Sequence, residues 1–357
     1  MGDFWFDRLL VAAVKKSASD IHLRVASPPA LRIDGQLFAV RLPALEAEDL
    51  DEIVAQLIPD GEVRNQIGHP RDVDLSYRVE GLGRFRVNVF RSGHHFALVL
   101  RVIPAVIPTL ESLGLPSVMA TVCAEPHGLV LVTGATGSGK TTTLAAMVDH
   151  VNAGRRGHII TIEDPIEYVH EDKMATVTQR EIGTDADDFA NALRGALRQD
   201  PDVILVGEMR DLETMEVALK AAETGHLVLS TLHTADAAST IARVIGVYPP
   251  DTHHALRARL AATLRAVVCQ RLLIRKDGKG RILATEILVV TDAIRDFVRD
   301  DRLDEIPDYL AKQRDAYGTQ SFDQHLAEMV EQDLVTLDVA RAASTRPNDF
   351  MRSMLLE

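Results

Sequence analysis

The chain has 357 residues, a length that favours two domains over a single hydrophobic core. Its 39 lysine and arginine residues against 52 aspartate and glutamate residues give a net charge of −13, which disfavours broad electrostatic binding to nucleic acid or to an anionic membrane. The two cysteines, Cys123 and Cys269, lie far apart and in no paired motif, so neither a disulfide framework nor a zinc site is indicated.

The first hundred residues carry the pattern of a small α+β domain. Apolar residues recur at helical spacing from Phe6 to Val14, and a second helix is predicted around residues 48–57. Short β-rich runs bounded by turn residues predict strands at residues 21–25, 31–33 and 72–79. We assign this domain to residues 1–103.

The last predicted hairpin of this domain opposes two arginines. Strands are predicted at residues 84–90 and 96–103, and a two-residue turn at Gly93 and His94 places Arg86 directly opposite Arg101. Like charges so placed repel each other unless an anion lies between them. We therefore interpret the pair as a candidate clamp for a nucleotide. The alternative, that both arginines are solvated or paired with acids such as Asp74, stays open.

The stretch at residues 104–115 is punctuated by prolines and has few signals of regular structure, so it is interpreted as an interdomain linker. The strongest pattern in the chain follows it. A short apolar strand at residues 129–133 leads into Gly-Ala-Thr-Gly-Ser-Gly-Lys-Thr at residues 134–141, and a helical pattern comes next. This order is typical of a phosphate-binding loop, in which glycines let backbone N–H groups turn toward an anion at a helix N-terminus.

We call residues 134–141 the phosphate loop. Within it, Lys140 is expected to reach the β- and γ-phosphates, and Thr141 to offer its hydroxyl to Mg²⁺. The predicted nucleotide-binding residues are Gly134, Thr136, Gly137, Ser138, Gly139, Lys140, Thr141 and Thr142.

Strands alternate with helices after the phosphate loop, which predicts a mostly parallel sheet whose ligand site lies at the carboxyl ends of the strands. Glu163 follows a predicted strand at residues 158–162, and Glu208 follows another at residues 203–206. Glu163 suits the activation of an attacking water and Glu208 the binding of a metal. The alternative is that both carboxylates cap the following turns or helices.

Two histidines flank the next predicted strand, at residues 227–231. His233 follows the strand at the carboxyl edge, where it can reach a γ-phosphate. His226 precedes the strand, so a satisfied polar contact is the better expectation for it. Their odd spacing makes them a poor metal pair.

Beyond residue 252 the pattern is helical, then two strands are predicted at residues 269–274 and 281–289, and the rest is helical. Ser321 and Gln324 form a capping-box pattern at the start of a helix whose apolar residues share one face. We assign residues 116–290 to the nucleotide-binding core and residues 291–357 to a helical tail.

Together these motifs resemble the secretion ATPases of type IV pili and type II secretion, in particular the pilus retraction ATPases of twitching motility (PilT/PilU type). The resemblance rests on Ala-Ser-Asp-Ile-His-Leu at residues 18–23, Walker A at residues 134–141, an aspartate box at residues 160–168, Walker B at residues 200–208 and a histidine box at residues 224–234.

The resemblance implies an α/β fold with an N-terminal PAS-like α+β domain and a C-terminal RecA-like P-loop NTPase domain that carries the helical tail. It further implies a homohexameric ring that hydrolyses ATP with Mg²⁺, an inner-membrane platform protein of the pilus machine as partner, and a paralogous retraction ATPase as a further candidate partner. The residues it implies as catalytic are Glu163, Glu208, Arg86, Arg101, His233 and His226, with Thr141 and Glu208 as metal ligands.

No apolar run approaches the roughly 18 residues of a membrane helix, and the acidic N-terminus is atypical of a signal peptide. We therefore expect no transmembrane segment, no nucleic-acid partner, and a cytoplasmic location, peripheral at the inner-membrane base of the pilus machine. Assembly and secretion ATPases of the superfamily usually carry a four-cysteine zinc module, which two cysteines cannot form, so retraction is favoured.

Two alternatives stay open within this interpretation. Residues 293–300 read Ala-Ile-Arg-Asp-Phe-Val-Arg-Asp and keep only half of the corresponding motif of the retraction family, which leaves the accessory retraction paralogue as an alternative. The other is a nucleotide-gated ring subunit that hydrolyses little ATP.

Overall fold

The computed structural model describes residues 5–16, 18–33, 35–67, 72–103 and 106–356. The chain divides into two units, residues 1–106 and residues 107–357. Residues 104 and 105, at the start of the predicted linker, lie outside the described residues. The predicted domain limits stay predictions.

The N-terminal unit is a six-stranded antiparallel sheet with the strand order β3-β2-β1-β6-β5-β4. Its strands are β1 (Asp20–Arg24), β2 (Ala30–Ile33), β3 (Gln36–Ala39), β4 (Val73–Val79), β5 (Gly83–Ser92) and β6 (His95–Ile103), and its helices are α1 (Trp5–Lys15), α2 (Ala47–Leu57) and α3 (Gly61–Gln66).

Helices α1 and α2 bury their apolar faces in one core with the sheet. Phe6 and Leu10 of α1 and Ile53 of α2 have no exposed side-chain surface, and Phe85 and Val87 of β5 alternate into the same core. The apolar residues that recur at helical spacing in α1, and those that alternate along β5, are therefore the residues that form this core.

The predicted register of the hairpin β5–β6 is confirmed, with Arg86 directly opposite Arg101. Arg86 Nε lies 3.6 Å from Asp74 Oδ1, and Arg101 Nε donates to Asp20 Oδ1 at 3.1 Å. Each arginine thus has a carboxylate partner, although Asp20 also pairs with Arg32 at 3.7 Å, and these partners offset the repulsion between the two arginines. The contact of this pair with a nucleotide stays a prediction.

The C-terminal unit is a seven-stranded sheet with the strand order β13-β12-β7-β11-β10-β8-β9, parallel throughout except for β13. Its strands are β7 (Gly128–Thr133), β8 (His158–Glu163), β9 (Thr176–Glu181), β10 (Val203–Val206), β11 (Leu227–Leu232), β12 (Leu264–Ile274) and β13 (Arg281–Val289).

Helices cover both faces of this sheet. They are α4 (Val118–Cys123), α5 (Lys140–Gly154), α6 (Phe189–Ala196), α7 (Leu212–Glu223), α8 (Ala237–Gly246), α9 (His253–Thr263), α10 (Asp292–Arg299), α11 (Ile306–Lys312), α12 (Arg314–Tyr317), α13 (Phe322–Glu331), α14 (Leu337–Ala343) and α15 (Pro347–Leu356), with short 3₁₀ helices at Pro250–Thr252 and Leu303–Glu305. None of them, over the residues that the structure describes, is long and apolar enough to cross a bilayer.

The two faces of the sheet carry separate cores. Val130 and Val132 of β7 pack with Leu144 of α5 on one face, whereas Leu129 and Leu131 belong to the core on the other. Burial on both faces explains why the central strands read as continuous apolar runs rather than as alternating ones.

The helical tail docks on its own unit. The predicted capping box opens α13, where Gln324 N donates to Ser321 Oγ at 3.3 Å and Ser321 N donates to Gln324 Oε1 at 3.0 Å. The Phe322 side chain is fully buried, and the guanidinium of Arg271 on β12 lies 3.8 Å from its ring centroid. Leu326 and Met329 are buried on the same face of the helix.

Phe322→Ala should lower the free energy of unfolding by about 3–5 kcal/mol, because it opens a cavity at the tail–sheet contact and removes the stacking partner of Arg271. Tyr317→Ala is the matched control, since that ring is 49% exposed, and its effect should stay within about 0.5 kcal/mol. Urea unfolding followed by circular dichroism measures both. Equal effects of the two variants would show that the tail is not docked through Phe322.

Candidate active site

The phosphate loop joins the end of β7 to the start of α5. Gly134 has a φ of 142°, and a Cβ at this position would lie 2.5 Å from the backbone oxygen of Gln270 and 2.6 Å from Ser138 Oγ. Gly139, which precedes the first residue of α5, has a φ of 91°. The loop therefore needs glycine at Gly134 for space and at Gly139 for conformation.

Lys140 opens α5 and extends back over the loop. Its Nζ donates to the carbonyl oxygens of Gly134 at 2.9 Å and Ala135 at 3.1 Å. Burial lowers the pKa of Lys140, and the charge of Glu208 opposes that shift. The ammonium group thus lies beside the backbone that is expected to receive phosphates.

The loop residues fit a phosphate with its Mg²⁺. The Ser138 hydroxyl is buried and has no hydrogen-bond partner among the described residues, and it lies two residues before the N-terminus of α5. A phosphate oxygen would satisfy such a donor. Thr141, in the first turn of α5, and Glu208 carry oxygen atoms of the kind that Mg²⁺ prefers as ligands.

Parallel strands bring three more predicted residues to the same edge of the sheet. Glu163 is the last residue of β8, Glu208 lies two residues beyond β10, and His233 directly follows β11. Glu208 Oε2 is 3.9 Å from His233 Nε2, and its Oε1 is 2.7 Å from Arg210 Nε. Burial and the charge of Lys140 lower the pKa of His233, which favours a neutral imidazole. The roles of these residues stay predictions.

Glu163 is a buried carboxylate at this edge, with 6% of its surface exposed. Its Oε1 accepts hydrogen bonds from Thr161 Oγ1 at 2.7 Å and from Gln179 Nε2 at 3.2 Å. Burial raises the pKa of Glu163 to about 7, although the hydrogen bonds from Thr161 and Gln179 lower it. A carboxylate with such a pKa is suited to accept a proton near neutral pH.

Three predicted site residues, His226, Arg86 and Arg101, do not belong to the sheet edge that carries the phosphate loop. His226 lies at the amino end of β11, where its Nδ1 is 2.9 Å from the carbonyl oxygen of Ala221. This is the satisfied polar contact expected from the sequence, and the C-terminal unit does not bring His226 to the edge that holds the phosphate loop. Arg86 and Arg101 belong to the N-terminal unit.

Gln179, Thr161 and Tyr168 are not among the site residues predicted from the sequence. Gln179 lies on the edge strand β9, whose sequence Thr-Val-Thr-Gln-Arg-Glu has one apolar residue and was not predicted as a strand. Its β-branched residues were the available signal. The hydroxyl of Tyr168 lies 3.0 Å from Thr142 Oγ1, which links the segment after Glu163 to α5.

Comparison with known proteins decides the family. The family described as "Type II/IV secretion system protein" matches residues 4–340. The chain belongs to this family. Within the secretion family, it is 45% identical over 343 residues to the type IV pilus retraction ATPase PilT of Pseudomonas aeruginosa, covering 96% of this chain and 98% of PilT.

Other members of the secretion family are also similar. The type IV pilus ATPase PilU of P. aeruginosa is 39% identical over 345 residues, covering 97% of this chain and 90% of PilU. The crystal structure of the pilus retraction motor PilT with bound ADP has a TM-score of 0.89 at 44% identity, covering 97% of this chain and 98% of that one. The structure of the Legionella pneumophila ATPase DotB has a TM-score of 0.81 at 30% identity, and the match covers 95% of this chain and 94% of DotB. These matches confirm the predicted family and fold class.

Glu163→Gln should make the protein increasingly more stable than the wild type as the pH rises. The folded-state pKa of about 7 lies above the ordinary value of 4.5, so the wild type loses stability as the pH rises through this interval. The difference in the free energy of unfolding between Glu163→Gln and wild type should grow by roughly 2 to 3 kcal/mol between pH 5 and pH 8. Urea unfolding at both pH values measures it.

The matched control is Glu171→Gln, which removes an exposed glutamate from the same unit. A difference between Glu163→Gln and wild type that stays constant with pH would contradict the burial-driven pKa of Glu163.

Proposed function

We propose that this protein is a Mg²⁺-dependent ATPase that powers the retraction of type IV pili as a homohexameric ring. The observation that carries the proposal is the 45% identity to PilT of P. aeruginosa over nearly the whole length of both chains. The phosphate loop, Glu163 and Glu208 at one sheet edge support the same reaction, because they supply groups for phosphate binding, water activation and metal binding.

In the proposed reaction the backbone of the phosphate loop and Lys140 bind the β- and γ-phosphates. Glu163 orients the attacking water and accepts its proton as the γ-phosphoryl group is transferred. Thr141 and Glu208 would hold Mg²⁺, which would supply positive charge beside the phosphate oxygens. His233, which lies 3.9 Å from Glu208 at the same edge, donates a hydrogen bond to the γ-phosphate in this proposal.

The proposal includes the wider assembly that the resemblance implies. The ring acts in the cytoplasm, peripherally at the inner-membrane base of the pilus machine, on a platform protein there and together with a paralogous retraction ATPase. An N-terminal domain at residues 1–103 and a nucleotide-binding core at residues 116–290, joined by a linker at residues 104–115, move relative to each other during hydrolysis. The helical tail, residues 291–357, moves with the core.

Glu163→Gln should retain ATP binding and lose turnover, because only the interaction with the attacking water is removed. Lys140→Ala should lose nucleotide binding as well. We would compare wild type and both variants by three methods: steady-state hydrolysis for turnover, nucleotide titration for binding, and size-exclusion chromatography for the oligomeric state. Turnover that survives in Glu163→Gln would contradict the assigned base, and an ATP-loaded wild-type ring without turnover would favour the accessory or nucleotide-gated alternative.

Arg86→Ala should lower turnover by about 10³-fold if this arginine stabilises the transferring phosphoryl group. Arg78→Ala, which removes an exposed arginine from the adjacent strand β4, is the matched control and should leave turnover within about twofold. Hydrolysis rates at saturating ATP compare the two. Similar rates for both variants would exclude Arg86 from the reaction.

A further inference from the structure

The edge strand β9 supplies one side chain to the proposed catalytic carboxylate. Gln179 Nε2 donates to Glu163 Oε1 at 3.2 Å and to the backbone oxygen of Tyr168 at 2.9 Å. Gln179 Oε1 accepts from the backbone N–H of His170 at 2.8 Å. The amide therefore uses both of its donors and its acceptor on the segment that begins at Glu163.

This network fixes which way the amide points. A flipped Gln179 would place its oxygen against the Glu163 carboxylate and the Tyr168 carbonyl oxygen, and its NH₂ group against the His170 N–H. All three contacts would then join like with like. Only the orientation that donates to Glu163 satisfies every group.

Two donors converge on a single oxygen of Glu163. Thr161 Oγ1 donates to Oε1 at 2.7 Å, beside the contact from Gln179, whereas Oε2 receives no side-chain hydrogen bond from the described residues. Thr161 lies on the same strand as Glu163, and Gln179 on the neighbouring one. The carboxylate is thus held through Oε1 from two sides, and the backbone N–H of Glu167 donates a further hydrogen bond to it.

We propose that Gln179 is a positioning residue for water activation: by donating to Glu163 Oε1 it orients that carboxylate and stabilises its ionised form, so that Oε2 is the oxygen that accepts the proton. This inference rests on the proposed function. Gln179 itself touches no reacting group and acts through Glu163.

The network extends to the nucleotide-binding helix. The backbone of Tyr168 accepts from Gln179, and the hydroxyl of the same residue lies 3.0 Å from Thr142 Oγ1, one residue beyond the phosphate loop. The position of Glu163 is therefore tied to the start of α5 through two side chains. This tie keeps the proposed base in register with the loop that binds the phosphates.

Several other titratable groups surround Glu163. Glu167, on the segment after β8, raises the pKa of Glu163 by its charge. Glu181 lies opposite Glu163 in the register of β9, and its Oε2 accepts from Ile166 N at 3.2 Å. Glu208 follows the strand on the other side, β10. Because these neighbours are acidic, the ionised form of Glu163 is favoured by its hydrogen-bond donors, which are the side chains of Thr161 and Gln179 and the backbone N–H of Glu167.

Gln179→Met removes the donors while keeping the length of the side chain. Turnover at pH 7 should fall about tenfold or more, which is what the loss of a hydrogen bond to a charged group costs, with KM for ATP little changed. The difference in turnover between Gln179→Met and wild type should become smaller as the pH rises toward 9, because Glu163 then ionises without the hydrogen bond from Gln179. Hydrolysis of ATP by the intact ring across this pH range measures both effects.

Gln179→Glu should show the opposite pH dependence of turnover. This variant tests the inference if Gln179→Met does not fold. Its new carboxyl ionises as the pH rises, so it loses its donor and repels Glu163, and the defect in turnover should widen with pH. The matched control is Thr178→Val, which removes the hydrogen bond between Thr178 Oγ1 and His158 Nε2 that joins the same two strands on their other face. Its profile should keep the wild-type shape.

A purely structural role for Gln179 predicts another pattern. If the variants at Gln179 and Thr178 all lower turnover by the same factor at every pH, or change nothing, the inference is wrong. A second readout needs no turnover: the stability lost between pH 5 and pH 8 should be larger in Gln179→Met than in wild type, because the ionised Glu163 has one donor fewer. Turnover that survives Glu163→Gln contradicts the assigned base, and an ATP-loaded wild-type ring without turnover contradicts the proposed function, while this stability comparison still decides whether Gln179 stabilises the Glu163 carboxylate.

Discussion

The parallel alignment of β7, β8, β10 and β11 is the constraint on which the candidate site depends. Because all four strands run the same way, the residues that follow them meet at one edge of the sheet. The phosphate loop, Glu163, Glu208 and His233 reach that edge from four separate parts of the sequence. A loss of pairing between two of these strands would separate the phosphate loop from the carboxylate that we propose as the base.

The same alignment buries the proposed base. Glu163 ends a strand that is covered on both faces, so its carboxylate loses most of its water, and its pKa rises to about 7. Donors on β8 and β9 offset part of this desolvation. The result is a carboxylate that ionises near neutral pH at the sheet edge that carries the phosphate loop.

A second buried carboxylate joins this edge to the rest of the unit. Glu286 lies on β13 and accepts a hydrogen bond at 2.9 Å from the backbone N–H of Ala237. Ala237 is the first residue of α8, and a short loop connects it to His233. Burial raises the pKa of Glu286 to about 7 as well, and the charge of Arg271 opposes that shift. Arg271 in turn stacks on Phe322 of the docked tail. The loop after His233 is therefore anchored through β12 and β13 to the helical tail.

Much of this arrangement could be predicted from the sequence, because its signals are local. The glycine pattern of the phosphate loop, the apolar strands before Glu163 and Glu208, and the two-residue turn that sets Arg86 against Arg101 each lie within a short stretch. Gln179 could not be found this way, since its strand lacks an apolar pattern and its partners, Tyr168 and Glu163, come from elsewhere in the sequence. Such a contact exists only once β9 pairs with β8.

The most direct test of the central claim is a structure of the ring with ADP, Mg²⁺ and aluminium fluoride, which mimics the phosphoryl group in transfer. The water in line with the aluminium should lie within about 3 Å of Glu163 Oε2, while Oε1 keeps its contacts with Thr161 and Gln179. A water held by Glu208 or by another residue, with Glu163 turned away from it, would contradict the assignment of Glu163 as the base.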